Sequence, residues 1–118
     1  MSLYPVNRPY VPISWIGQLG TQYEFQLDPI RTIYRDIPGV YIFCQSIGGN
    51  LWKPLYVGET SSMRRRLTDE LDAHHSFGAV LLNGATHLST LHVSSGLAER
   101  FRIETDLRHA LRPCCNRQ

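Results

Sequence analysis

Two short runs, GVYIFC at 39–44 and LWKPLYVG at 51–58, constrain this chain's fold more than any other feature. Both are rich in aromatic and β-branched side chains, which favour extended backbone, and SIGGN lies between them. Gly48-Gly49 can supply the positive φ angles of a tight primed turn, so the spacing predicts an antiparallel hairpin. A turn centred on that pair opposes residues whose numbers sum to 97, Tyr41 to Tyr56 and Gly39 to Gly58. Opposed residues share a face, so the two tyrosine hydroxyls would lie side by side. Pro54 cannot donate to a ladder, and an edge position or a bulge there would shift the register by one.

Past the hairpin, Met63, Leu67 and Leu71 repeat at i, i+4 and i+8, which predicts a helix over 62–73 with Ser61 or Ser62 as N-cap. Arg65 points away from that stripe, and Arg64 and Arg66 flank it. THLSTLHV, residues 86–93, reads as a third strand. A second helix is predicted over 97–111, stopped by Pro113, with Leu97, Phe101, Ile103, Leu107, Ala110 and Leu111 as its apolar face. Glu104 falls inside that face, where a carboxylate is costly unless paired or metal-bound. The plainer account pairs it with Arg100 at i, i+4 or lets it cap a strand end. Residues 1–34 hold four of the seven prolines, and YEFQL can form one extra strand. This segment is read as an extension packed on a core domain of residues 35–118.

The expected fold class is therefore α/β (α+β), a three-stranded, mainly antiparallel sheet flanked by helices. A chain of 118 residues makes one domain with a real core. No apolar run approaches the roughly 20 residues that span a bilayer. MSLYPVNRPY lacks the apolar core of a secretory signal, which points to a cytoplasmic protein with no membrane partner. A formal charge of +2 does not by itself announce nucleic acid, but eleven arginines against the single Lys53 favour fork-like recognition of phosphate or carboxylate. Cys44, Cys114 and Cys115 form no CxxC and no even-numbered framework, which suits a reducing compartment. A zinc site from Cys114, Cys115, His74 and His75 would need two vicinal pairs, an unusual ligand spacing.

PGVYIF followed by LYVGETSSMRRRL resembles the GIY-YIG nucleases, a family named for two short strand motifs. Gly39-Val40-Tyr41 stands for the first motif and Tyr56-Val57-Gly58 for the second. The family's helix arginine, eight residues after the second glycine, corresponds to Arg66, and its metal-binding glutamate to Glu104. IETDLRHALRPCCN fits the family's closing pattern through Glu104, Pro113 and Asn116. Valine replaces isoleucine in both tripeptides, and Cys115 sits where an aromatic is common. The match spans residues 35–118, and nothing in the first 34 residues matches a known DNA-binding module.

The resemblance implies a metal-dependent DNA endonuclease with one divalent ion, Mg2+ or Mn2+, carried by Glu104. It implies that Arg66 clamps the scissile phosphate. One tyrosine, Tyr41 in preference, relays a proton from the attacking water, while Tyr56 orients water or phosphate. A phenol ionises near pH 10, so this role needs positive charge nearby. Without the motif, each tyrosine is equally a core aromatic with a satisfied hydroxyl. Gly39 and Gly58 would allow close backbone approach, and Asn116 would tie the tail to the site. Arg64 and Arg65 would extend the phosphate-contacting surface. Glu59 could add a second carboxylate but is expected at the surface, and His74, His75, His87, His92 and His109 receive no fixed role, any one being a conceivable accessory base. The DNA partner could be intact, branched or damaged. Cutting both strands with one site would need a homodimer, two visits or a partner protein. The alternative function is a non-catalytic nucleic-acid-binding module of the same fold.

Overall fold

The structure is a computed structural model and describes residues 9–116, so the first eight residues of the expected extension lie outside it. Five strands form one antiparallel sheet: β1 (Pro12–Ile16), β2 (Gln22–Pro29), β3 (Gly39–Ser46), β4 (Trp52–Thr60) and β5 (His87–His92). Their spatial order is β1-β2-β5-β3-β4. The sheet is larger than the three strands expected because residues 12–29 form a second hairpin that adds to the edge of β5. YEFQL lies in β2, where Tyr23, Phe25 and Leu27 are buried.

β3 is covered on both faces, so its inward pattern is an unbroken apolar run rather than an alternation. On one face Val40, Ile42 and Cys44 pack with Trp15, Phe25 and Val57 against the long helix α2 (Leu97–Leu111). On the other, Tyr41 and Phe43 meet Leu55, Tyr56, Met63, Leu67, Leu71, Phe77 and Val80. These last five side chains come from the connection after β4, which ends in the short helix α1 (Phe77–Leu82).

The β3–β4 register differs from the expected one by two residues at the glycine motifs. Tyr41 opposes Gly58, Phe43 opposes Tyr56 and Gly39 opposes Thr60. Two causes add. The turn is a longer loop in which Gly48, Gly49 and Asn50 all take positive φ, so Ser46 opposes Trp52. A bulge then leaves Leu55 unopposed between the pairs Phe43–Tyr56 and Cys44–Pro54. The bulge also turns Leu55 onto the same face as Tyr56. Pro54 is accommodated because β4 is an edge strand.

The expected helix over 62–73 is not regular. It becomes a π-helical turn at Arg65–Asp69, closed by Glu70 N–H donating to Arg65 O at 2.8 Å, and a 3-10 turn at Leu71–Ala73. Ser62 caps its start by accepting the Arg65 N–H at 3.1 Å. Met63, Leu67 and Leu71 are still buried, so the stripe is right where the regularity is not. In α2 the boundaries agree, but the buried face is rotated. Arg100, Ile103, Asp106 and Leu107 are buried, whereas Leu97 and Phe101 are about half exposed at 50% and 48%. Glu104 therefore sits at the margin of the buried face rather than inside it.

Candidate active site

The register places Tyr41 and Tyr56 diagonally on one face of the hairpin, with stacked rings 6.1 Å apart between centroids. Gly58 makes this possible. A Cβ at that position would lie 2.5 Å from Tyr41 Cζ, 2.6 Å from its hydroxyl and 2.8 Å from Tyr56 Cε1. Gly39 is similarly crowded by the Leu91 carbonyl and the Met63 methyl, which closes the end of the strand.

Arg66 enters from the π-helical turn, half-buried, and its Nε donates to the Tyr41 hydroxyl at 3.4 Å. Arg64 and Arg65 are exposed. Arg64 lies 3.7 Å from Asp69, and Arg65 donates to Ser61 Oγ at 3.3 Å. Of the three consecutive arginines, Arg66 alone is tied to a tyrosine. The irregular turn aims it there.

Glu104, on α2, is half-buried and raises its own pKa through desolvation; Arg108 opposes this and the nearby Glu59 carboxylate adds to it. It does not pair with Arg100. Arg100 donates instead to Glu59 Oε1 at 2.9 Å, so Glu59 is held in a part-buried ion pair rather than standing free at the surface. Among the described residues, no hydrogen bond or ion pair engages the Glu104 carboxylate. No group of three His, Cys, Asp or Glu side chains there is arranged to hold a metal ion. That disposes of the four-ligand zinc arrangement. A lone, unpartnered, partly desolvated carboxylate fits a hard divalent cation that takes its remaining oxygens from water and phosphate. Tyr56 connects the two halves of the site. Burial raises its pKa, Arg66 lowers it and Glu104 raises it again, so the charges of both residues act on its hydroxyl.

The C-terminal tail locks this edge. Asn116 Oδ1 accepts the Val57 N–H at 2.7 Å and its Nδ2 donates to the Val57 carbonyl at 2.8 Å. Cys115 N–H donates to the carbonyl of the bulged Leu55 at 2.9 Å. The tail thus supplies β4 with the partners that an edge strand lacks, on both sides of Tyr56.

Two residues given no fixed role by sequence reasoning join the cluster. His74 is buried, and its Nε2 lies 2.6 Å from the Tyr41 hydroxyl. His75 is exposed, stacks on His74 at 4.9 Å, and sits 3.3 Å from the Tyr56 hydroxyl. The one signal in sequence was the vicinal pair itself, at the end of the apolar stripe. His87, His92 and His109 lie on β5 and α2 and form no part of this cluster.

No family model matches the chain, and no curated protein matches it in sequence. Solved structures do. Three point mutants of the GIY-YIG N-terminal endonuclease domain of UvrC from Thermotoga maritima, each bound to its catalytic divalent cation, superpose with TM-scores of 0.56–0.57 at 26–28% identity. The likeness covers 71% of this chain and 87% of those domains.

Proposed function

The chain belongs to the GIY-YIG superfamily, and from that premise we propose that it is a divalent-metal-dependent endonuclease that hydrolyses phosphodiester bonds in DNA. The observation that carries this reading is the convergence of Tyr41, Tyr56 and Arg66 beside a Glu104 carboxylate left without a protein partner among the described residues. A structural glutamate at the margin of a helix face would be expected to pair with a neighbouring arginine; here Arg100 at i−4 is taken by Glu59, and Arg108 at i+4 acts on Glu104 through its charge without forming an ion pair among the described residues.

In this mechanism Arg66 holds the scissile phosphate through its planar guanidinium and stabilises the charge that builds on it. Tyr41, as the phenolate formed after its own proton passes to solvent, receives the proton of the attacking water as the water oxygen bonds to phosphorus. The bond to the leaving sugar oxygen breaks and that oxygen takes a proton from solvent. Tyr56 orients the water or phosphate between Tyr41 and Glu104. Glu104 would hold the cation, Mg2+ or Mn2+, which supplies Lewis-acid stabilisation of the phosphate and leaving oxygen. Arg64 and Arg65 face solvent on the same turn and add sequence-independent contacts to the DNA backbone. The free Cys44, Cys114 and Cys115 suit a reducing, cytoplasmic setting.

The test is cleavage of supercoiled plasmid with and without Mg2+ or Mn2+, comparing wild type with Glu104→Gln. Metal-dependent nicking that disappears in a folded, DNA-binding Glu104→Gln supports the proposal. Equal cutting by both proteins would place the metal elsewhere. No cutting of plasmid, branched or single-stranded DNA by either would favour the non-catalytic binding module.

A further inference from the structure

Tyr41 poses a chemical problem that the nuclease reading leaves open. Its hydroxyl is wholly buried, and burial pushes its pKa above the ordinary tyrosine value, with Tyr56 adding to the rise and Arg66 opposing it. A phenol so placed accepts a proton poorly unless something stabilises its anion. Resting on that reading, we propose that His74 is a positioning residue, locked in its Nε2–H tautomer, that donates a hydrogen bond to the Tyr41 oxygen and so favours the phenolate needed to accept water's proton.

The tautomer follows from the two contacts of the ring. The backbone N–H of Ser76 donates to His74 Nδ1 at 3.0 Å, which fixes Nδ1 as an acceptor without a proton. In the neutral ring the proton must then lie on Nε2, the atom 2.6 Å from the Tyr41 hydroxyl. Protonating Nδ1 would set two N–H groups against each other. The environment agrees: burial, Arg66 and His75 bring the His74 pKa down to about 4, so the ring is neutral at neutral pH. His74 is thereby a donor and cannot be the base that takes Tyr41's proton.

A second donor, Arg66 Nε, reaches the same oxygen from the π-helical turn at 3.4 Å. Two donors converging on one phenolic oxygen stabilise its deprotonated form, as in an oxyanion hole. The other groups facing Tyr41 are the Tyr56 ring from β4 and the Phe43 ring from its own strand. Those facing His74 are His75, Phe43 and Tyr56. The sequence supports the local geometry. The backbone of His74 is extended (φ −64°, ψ 126°) between the 3-10 turn and α1, which lets the ring point inward while Ser76 N–H turns back onto it.

The experiment compares wild type with His74→Phe, which keeps an aromatic ring in the stack but has no donor, and His74→Gln, whose amide can donate from nearly the same place. Two readouts are taken: the single-turnover rate against pH at saturating DNA and Mg2+, and the near-ultraviolet titration of tyrosinate in the free protein. In His74→Phe the rate at pH 7 should fall at least about tenfold with DNA affinity unchanged, and the rising limb of the pH profile should move up by about one unit, as expected for a lost hydrogen bond to a charged group. One tyrosine should titrate later by a similar shift. His74→Gln should recover most of both. If His74→Phe fails to fold, His74→Met takes its place. An unmoved pH profile and unmoved titration, whatever the rate, would overturn the proposal, as would a His74→Gln that behaves like His74→Phe. The titration does not need cutting, so a wild type that cuts nothing would defeat the nuclease reading while this test still returns an answer.

Discussion

Gly58 shows how a single missing methyl group sets the site. Its Cα lies under both tyrosines, so Gly58→Ala would drive a methyl into the Tyr41 hydroxyl and the Tyr56 ring. We expect a loss of about 1–3 kcal/mol in stability from overpacking, read by denaturant unfolding. Cleavage should fall by more than the stability loss explains, because Tyr41 must leave Arg66 and His74. An unchanged cleavage rate in Gly58→Ala would mean that the tyrosines need not sit where they do. Arg66 poses a different question, because its neighbours Arg64 and Arg65 carry the same charge on the same turn. Arg66→Lys keeps the charge and loses the planar fork and the Nε donor to Tyr41. Cleavage by Arg66→Lys should drop about 100-fold, as for loss of a transition-state donor, while DNA affinity changes little. Arg65→Lys should leave the rate near wild type. The placement of these side chains was partly legible in the sequence. The motif singled out Arg66, Tyr41, Tyr56 and Glu104, but the partners of each side chain were not, because Arg100 and Glu104 are helix neighbours whose pairing is decided by Glu59 on another strand.

At the scale of elements, the hairpin β1–β2 fixes the orientation of the helix that carries Glu104. Asp106, two residues further along α2, accepts hydrogen bonds from the Tyr23 hydroxyl at 2.7 Å and from Leu19 N–H at 3.1 Å. Gly17 packs so closely on the same carboxylate that any side chain there would collide with it. The Tyr23 hydrogen bond is the main reason the Asp106 pKa is lowered in the fold, against the effect of burial. A carboxyl with a depressed folded pKa contributes stability above its unfolded pKa, near 4, and loses it as pH falls through the folded value. The stability gap between wild type and Asp106→Asn should therefore be fully present above the unfolded pKa of about 4 and shrink as pH falls below it, followed by thermal melts on acidification. A gap that widens on acidification would contradict the latch. Tyr23→Phe should cost about 1 kcal/mol and mimic Asp106→Asn at neutral pH. The element between β4 and α1 shows the limits of periodicity: i, i+4, i+8 spacing correctly marks Met63, Leu67 and Leu71 as buried, yet the backbone widens into a π-helical turn. Side-chain spacing reports which face is buried and is insensitive to one extra residue in a single turn.

For the whole molecule, the five-stranded sheet implies that residues 12–29 are not dispensable. They cover one edge of β5, and Trp15, Tyr23, Phe25 and Leu27 complete the core beneath α2. A chain beginning at Arg35 would expose that edge and lose those side chains, so it should be insoluble or lack a cooperative unfolding transition. A soluble, cooperatively folding 35–118 fragment would show that the hairpin is an accessory. The sequence by itself determined the local facts: the β3–β4 hairpin, the limits of α2, the buried stripe after β4, and the motif residues. Each follows from neighbours in the chain, through β-propensity, side-chain period or fixed motif spacing. Only the tertiary structure decided the register, the number of strands and the partners in the site. A register of two residues' difference depends on Asn50 joining the glycines at positive φ and on a bulge at Leu55 that the tail residue Cys115 holds in place. The pairing of His74 with Tyr41 joins side chains 33 residues apart. Such contacts are set by how elements pack, and no local pattern encodes them.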